Sequence, residues 1–92
     1  MLSPEEQLDV GRRLREGDRE AWAALYENYN IAVWRLTARL VGPDAAGVAD
    51  VVQDVFLAAA GSARRFDTEQ GTLWSWLTGI VHRQVSNYWR KA

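Results

Sequence analysis

The chain contains no cysteine and only one histidine, His82, among its 92 residues. These absences exclude disulfide frameworks, cysteine nucleophiles, cysteine-based zinc sites and metal sites built on two histidines. The sequence also lacks a nucleophile-elbow pattern and a glycine-rich loop with the spacing of a dinucleotide or phosphate site. We therefore expect no enzyme, no metal, no cofactor and no small-molecule substrate.

Targeting and membrane signals are missing as well. The N-terminal stretch MLSPEEQLDV carries acids where a signal peptide needs a basic start and an apolar run. No segment approaches the roughly 20 consecutive apolar residues of a membrane span. We expect a cytoplasmic protein with no membrane partner.

Acidic side chains are absent from residues 70–92, although the whole chain has 12 of them and a net charge of −1. The same segment holds Arg83, Arg90, Lys91 and three of the five tryptophans. Aromatic rings among basic and small polar residues suit stacking on bases beside phosphate contacts. This pattern favours a nucleic-acid surface.

Helical periodicity runs through the sequence, and the alternation typical of strands is absent. Ser3 and Glu6 have capping-box spacing, Asp18 can cap a second helix, and VGPD at 41–44 ends it. The sequence thus predicts one all-α domain over residues 1–92, a compact bundle of about four helices. Their expected bounds are 3–16, 18–41, 46–60 and 73–90, with a loop at 61–72.

Apolar residues at helical spacing give the expected core. In the second helix they are Trp22, Leu25, Tyr26, Tyr29, Val33, Leu36 and Leu40. In the third they are Val48, Val52, Val55, Phe56 and Ala59. In the last they are Leu73, Trp76, Leu77, Ile80 and Tyr88.

The opposite face of the third helix is unusual, since it combines two acids with an amide and an exposed leucine. Its members are Asp50, Gln53, Asp54 and Leu57, and no Lys or Arg occurs between Leu40 and Ala63. A solvated face usually mixes both charge signs. The face is either an ordinary solvated surface or a docking surface for a basic partner.

Three successive stretches resemble bacterial sigma factors of the extracytoplasmic-function (ECF) type. They are LREGDREAWAALYENYNIAVWRLTARLVG, AGVADVVQDVFLAAA and RRFDTEQGTLWSWLTGIVHRQVSNYWR, in the order and spacing of that family. The match extends from about Leu8 to Arg90 and corresponds to sigma region 2. The helix-turn-helix region 4 of the family is expected to be absent from this chain.

The resemblance implies two partners for a protein acting at the bacterial nucleoid. Core RNA polymerase would dock its β′ clamp helices on Asp50, Gln53 and Asp54, with Leu57 as a small apolar anchor. The non-template strand of the promoter −10 element would be melted, and a flipped base captured by the loop before the last helix. The residues implied in DNA binding are Arg64, Arg65, Phe66, Trp74, His82, Arg83 and Arg90.

Several roles remain open at the level of the sequence. Phe66 can either line the capture site or fill the core beneath the loop, and Trp74 either contacts DNA or packs at the rim. Gly79, Arg83 and Gln70 depart from the family pattern, which bears on the −10 sequence preference. An anti-sigma factor is a further possible partner.

A second hypothesis is a helical protein-interaction module that regulates sigma or polymerase without binding DNA. Charge reversal of Arg83 and Arg90 separates it from the first. A helix-turn-helix duplex binder fits poorly, because the 12-residue loop at 61–72 is much longer than the 3–4-residue turn of that motif.

Overall fold

The computed structural model describes residues 1–91 and contains four α-helices and one short 3₁₀ turn. The predicted all-α bundle is confirmed, and no strand occurs within residues 1–91. The third helix continues two residues beyond its expected end at residue 60, because Gly61 does not interrupt it. The elements are α1 (Pro4–Arg15), α2 (Arg19–Val41), α3 (Ala45–Ser62), the 3₁₀ turn (Ala63–Arg65) and α4 (Leu73–Lys91).

Side-chain caps start the first three helices. Glu6 N–H donates to Ser3 Oγ (3.2 Å) and Ser3 N–H donates to Glu6 Oε1 (3.0 Å), which completes the predicted capping box. The hydrogen bond from Ser3 lowers the pKa of Glu6. Asp18 caps α2 by accepting from Glu20 N–H at 2.9 Å, as predicted, and Asp44 caps α3.

The core lies where α3 packs between α2 and α4, with α1 against α2. The predicted inner face of α3 is confirmed, and Val51 joins it. An all-apolar inner face explains why α3 is held firmly despite its outward acids. The buried residues of α3 are Gly47, Val48, Val51, Val52, Val55, Phe56 and Ala59.

The buried side of α4 differs from the prediction. Leu73, Leu77, Val81 and Val85 are buried in steps of four residues. The expected core residues Trp76, Ile80 and Tyr88 are only half-buried. α4 contacts both α2 and α3, so its buried stripe falls between two neighbours and not on the side with the largest side chains.

The core of α2 also departs from the prediction, because Trp22, Leu36 and Leu40 are only half-buried. Tyr26 is 47% exposed. Its aromatic ring lies at the rim of the α2–α3 interface, where it meets Phe56 edge to face at 4.9 Å between ring centres. The small residues Ala21 and Thr37, which were not among the expected core residues, are fully buried.

Residues 45–65 are long and apolar enough to span a membrane, with a mean hydropathy of 1.2. This finding concerns length and mean composition, and the expectation of no run of about 20 consecutive apolar residues still holds, because Asp50, Gln53 and Asp54 interrupt the segment. The apolar residues of α3 nevertheless fill the core of the bundle, and its outer face carries Asp50 and Asp54. The hydropathy of the segment is that of a core helix.

Candidate functional site

The outer face of α3 presents its acidic and apolar residues together. Asp50, Gln53, Asp54 and Leu57 are all exposed, and Leu57 is 63% exposed. Within residues 1–91, neither carboxylate forms an ion pair. Two uncompensated charges therefore precede an exposed leucine on one helical stripe.

An apolar groove of about 450 Å³ lies along one edge of this stripe, between α2 and α3. Phe56 forms its floor and meets Trp22 edge to face at 6.4 Å between ring centres. Trp34, 41% exposed, was not singled out by the sequence analysis. Its position two turns after Tyr26 on α2 is the signal that could have found it. The groove is lined by Trp22, Tyr26, Trp34, Ala49, Val52, Gln53, Phe56, Leu57 and Ala60.

The other edge of the acidic stripe faces the last turns of α4 across a cleft of about 490 Å³. Tyr88 Oη donates a hydrogen bond to Asp44 Oδ2 at 2.6 Å, which ties the end of α4 to the start of α3. This hydrogen bond lowers the pKa of Asp44 and raises the pKa of Tyr88. Asp50 and Asp54 line the same cleft, so the acidic stripe and α4 share an edge.

A second pocket, of about 310 Å³, lies between the segment that precedes α4 and the first turns of that helix. Phe66 and Trp76 stand 5.1 Å apart between ring centres, with Phe66 only 5% exposed. Polar and charged groups complete the lining, so the pocket has an aromatic part and a hydrogen-bonding rim. Its lining residues are Arg65, Phe66, Asp67, Gln70, Gly71, Thr72, Ser75 and Trp76.

The structure therefore places Phe66 beneath the loop, as part of the core that reaches the pocket, and not as an exposed stacking ring. Trp76, which was expected in the core, is the half-buried tryptophan at the pocket. Trp74 stacks on Tyr29 of α2, with ring centres 6.0 Å apart and planes 13° from parallel. Trp74 is absent from the pocket lining, and a DNA role for it stays a prediction.

The basic residues predicted to bind DNA lie in three different places. Arg65 lines it, whereas Arg64 lies close to Gly17 in the α1–α2 turn. His82, Arg83 and Arg90 are exposed on α4. The structure thus brings Arg65 and Phe66 together at the pocket, whereas the exposed basic residues of α4 lie outside its lining.

Residues 25–92 match the family model of sigma-70 region 2. The chain belongs to the sigma-70 region 2 family. This membership confirms the family prediction made from the sequence. Sigma factors are transcription factors and not enzymes. The match begins within α2, so α1 lies outside it.

Named relatives of this region 2 chain are ECF RNA polymerase sigma factors. SigK of Mycolicibacterium vanbaalenii is 32% identical over 74 residues, and SigK of Mycobacterium ulcerans is 29% identical over the same length. The aligned part is 80% of this chain and 37% and 39% of the two relatives. The chain thus spans less than two-fifths of the curated relatives it matches.

A solved structure has the same region 2 fold. It is the NMR structure of an engineered region 2 of sigmaE in complex with GTAAAA. Its TM-score with this chain is 0.80, at 29% identity over 98% of this chain and 88% of that one.

Proposed function

We propose that this region 2 chain binds core RNA polymerase and recognises and melts the promoter −10 element. The observation that carries the proposal is its fold, common over 98% of the chain to a region 2 domain bound to GTAAAA. Neither activity requires a metal, a cofactor or chemistry from the chain itself. Sigma factors are cytoplasmic proteins, and we place the action of this one at the nucleoid.

The polymerase partner is the pair of β′ clamp helices, and the docking surface is the outer face of α3. Asp50 and Asp54 face basic clamp residues and steer the encounter, because neither carboxylate has an ion pair within the described residues. Gln53 adds a hydrogen-bonding group. Exposed ion pairs contribute little affinity alone, so Leu57 and the adjoining apolar groove supply the anchor.

The DNA ligand is the non-template strand of the −10 element, with one base extruded into the pocket before α4. Extrusion costs a few kcal/mol, so a preformed site must offset the lost stacking. Phe66 and Trp76 supply the apolar part of that site, and Arg65 lies beside it. Phe66 thereby contributes as a packed wall of the pocket.

Phosphates of the same strand follow the exposed side of α4. His82, Arg83 and Arg90 lie there, in a segment free of acidic residues from position 70 to position 91, and Arg64 extends the basic surface beyond the loop. Phosphate contacts of this kind set the register of the strand and carry no sequence information. Selectivity is therefore assigned to the pocket, and general affinity to α4.

A second candidate is an interaction module that acts on sigma or polymerase without touching DNA. The apolar groove of about 450 Å³ beside α3 favours it, because a protein helix fits there whether or not α4 binds DNA. An anti-sigma factor is one partner of this kind, and it would compete with the clamp helices for the α3 face.

The test is binding of labelled single-stranded GTAAAA, and of each of its single-base variants, to the chain and to Arg83→Glu/Arg90→Glu. We expect the wild type to prefer some hexamers over others and the double variant to bind all of them more weakly. The salt slope of log K should become shallower by about 0.7 for each phosphate of the single strand that the variant no longer binds. Fluorescence anisotropy at several salt concentrations measures both effects.

The matched control is Arg35→Glu/Arg39→Glu, which changes the net charge equally on exposed α2 positions. These positions follow the buried Val33 and Thr37 by two residues, and therefore point away from the core. Equal losses of hexamer affinity in both double variants would show that overall charge accounts for the effect. Hexamer binding unchanged by Arg83→Glu/Arg90→Glu would favour the interaction module.

A further inference from the structure

The loop before α4 lies unusually close to the backbone of α1 at Gly11. A Cβ added at Gly11 would stand 2.6 Å from Phe66 Cε2 and 2.8 Å from Thr68 Cγ2, shorter than real Cβ contacts. Gly11 has no positive φ, so its backbone does not require glycine. Glycine within a helix is less favourable than alanine. The residue is therefore explained by packing, since it lets the loop seat directly on α1.

One turn earlier on the same side of α1, Gln7 reaches the start of α4. Its Oε1 accepts a hydrogen bond from Leu73 N–H at 3.2 Å, and its Nε2 donates to the carbonyl oxygen of Leu2 at 3.3 Å. The first N–H groups of a helix have no partner within that helix. Gln7 thus satisfies one of them from a distance of 66 residues along the chain.

These two contacts hold the loop at both ends. Gly11 seats Phe66 and Thr68, and Gln7 fixes Leu73. Between these two contacts lie the pocket residues Gln70, Gly71 and Thr72, and the other lining residues adjoin the segment on either side. α1 lies outside residues 25–92 that match the family model. Nothing in that match assigns α1 a part in the pocket.

We propose that Gln7 and Gly11 are positioning residues through which α1 sets the geometry of the base-capture pocket. The inference rests on the proposed DNA function. A site that discriminates bases must be held to within about 0.5 Å by its supporting residues. α1 supplies this support through one absent Cβ and one side-chain hydrogen bond.

The first test compares Gly11→Ala with Gly61→Ala in the 92-residue chain. A Cβ at Gly61 meets nothing within 4 Å, so the control makes the same change in an open position. We expect Gly11→Ala to lower the affinity ratio between the best and worst hexamers by about tenfold. The salt slope should not change, because the phosphate contacts of α4 remain. Gly61→Ala should leave both the affinity ratio and the salt slope at their wild-type values.

The second test uses Gln7→Leu and Gln7→Glu, which stays informative where Gly11→Ala fails to fold. Leucine removes the acceptor for Leu73 N–H, and glutamate keeps an oxygen in its place. We expect Gln7→Leu to lose hexamer selectivity and Gln7→Glu to retain it. Wild-type selectivity in Gln7→Leu would overturn the proposal, whether or not Gly11→Ala folds.

Amide NMR spectra without DNA separate this inference from the proposed function. We expect Gly11→Ala to shift amide signals of residues 66–73, and Gly61→Ala to leave them in place. A wild type without hexamer preference would refute the DNA function, while these shifts still decide whether α1 seats the loop. Unchanged signals in this segment for Gly11→Ala would overturn the seating itself.

Discussion

Gly47 allows α3 and α4 to meet as closely as they do. A Cβ at this position would overlap the Asp44 carboxylate and stand 2.7 Å from Tyr88 Cε1. Gly79, in contrast, lies exposed in α4, and a Cβ added there would meet nothing within 4 Å. Of these two helical glycines, only Gly47 lies where neighbouring atoms leave no room for a side chain.

We expect Gly47→Ala to lower the free energy of unfolding and Gly79→Ala to raise it. Alanine gains about 0.5–1 kcal/mol over glycine in a helix, but overpacking costs about 1–3 kcal/mol. The net change at Gly47 is a loss of up to about 2.5 kcal/mol, and the gain at Gly79 is up to about 1 kcal/mol. Urea unfolding followed by circular dichroism measures both, and a stabilised Gly47→Ala would contradict the packing argument.

The tryptophans of α4 show how far the role of a single residue can be predicted from the sequence. Their type and the absence of acids around them indicated an aromatic, basic helix, and the family match followed from such residues. Their individual roles were not accessible, because Trp74 and Trp76 lie about 200° apart on the helix and either side can face the pocket. Which one reaches it depends on where Tyr29 and Phe66 stand, and both come from other elements.

Among the elements, the capped helix starts and the inner face of α3 were the most predictable. Caps at Ser3 and Asp18 gave the starts of α1 and α2, and the inner valines of α3 were assigned correctly. The buried face of α4 was not, since the smaller Val81 and Val85 are buried while the larger Trp76 and Tyr88 stay half-buried. Periodicity shows that a helix has an apolar side, but the width of the buried stripe depends on tertiary packing.

The Asp44–Tyr88 hydrogen bond, which joins α3 to α4, makes the fold sensitive to pH at both extremes. The lowered pKa of Asp44 stabilises the fold above the unfolded value, about 3.9, and this contribution is lost as the pH falls further. The raised pKa of Tyr88 stabilises the fold below the unfolded value, about 10, and is lost as the pH rises.

We therefore expect the stability difference between wild type and Tyr88→Phe to be greatest between about pH 4 and pH 10 and to shrink outside that window. Unfolding in urea at acidic, neutral and strongly basic pH measures this. Tyr26→Phe is the control, because the Tyr26 ring meets Phe56 and no carboxylate accepts from its hydroxyl within the described residues. A difference that stays constant across all three pH values would refute the linkage.

At the scale of the whole molecule, one small bundle carries two surfaces of opposite charge. The acidic stripe and the apolar groove lie on α3 and α2, and the pocket with its basic continuation lies on the loop and α4. The sequence indicated this polarity, because the acids end at position 69. The groove required the structure, since Trp34 and Phe56 come to line it only through the packing of α2 on α3.

If the two surfaces bind different partners, substitutions can abolish one binding activity without affecting the other. We expect Asp50→Arg/Asp54→Arg to abolish binding to an isolated β′ clamp-helix fragment, because two attractive pairs become repulsive. Hexamer binding should not weaken, since no basic residue of α4 is changed. Calorimetry with the fragment and anisotropy with the hexamers measure the two partners on the same protein.

The control Glu16→Arg/Glu27→Arg makes the same charge change at exposed positions away from α3. A basic residue at Glu16 also suits the end of α1, where the helix dipole favours positive charge. The control should keep clamp binding, with circular dichroism reporting an intact fold in both double variants. Loss of clamp binding in both would attribute docking to net charge, whereas loss restricted to Asp50→Arg/Asp54→Arg ties it to the stripe that adjoins the groove.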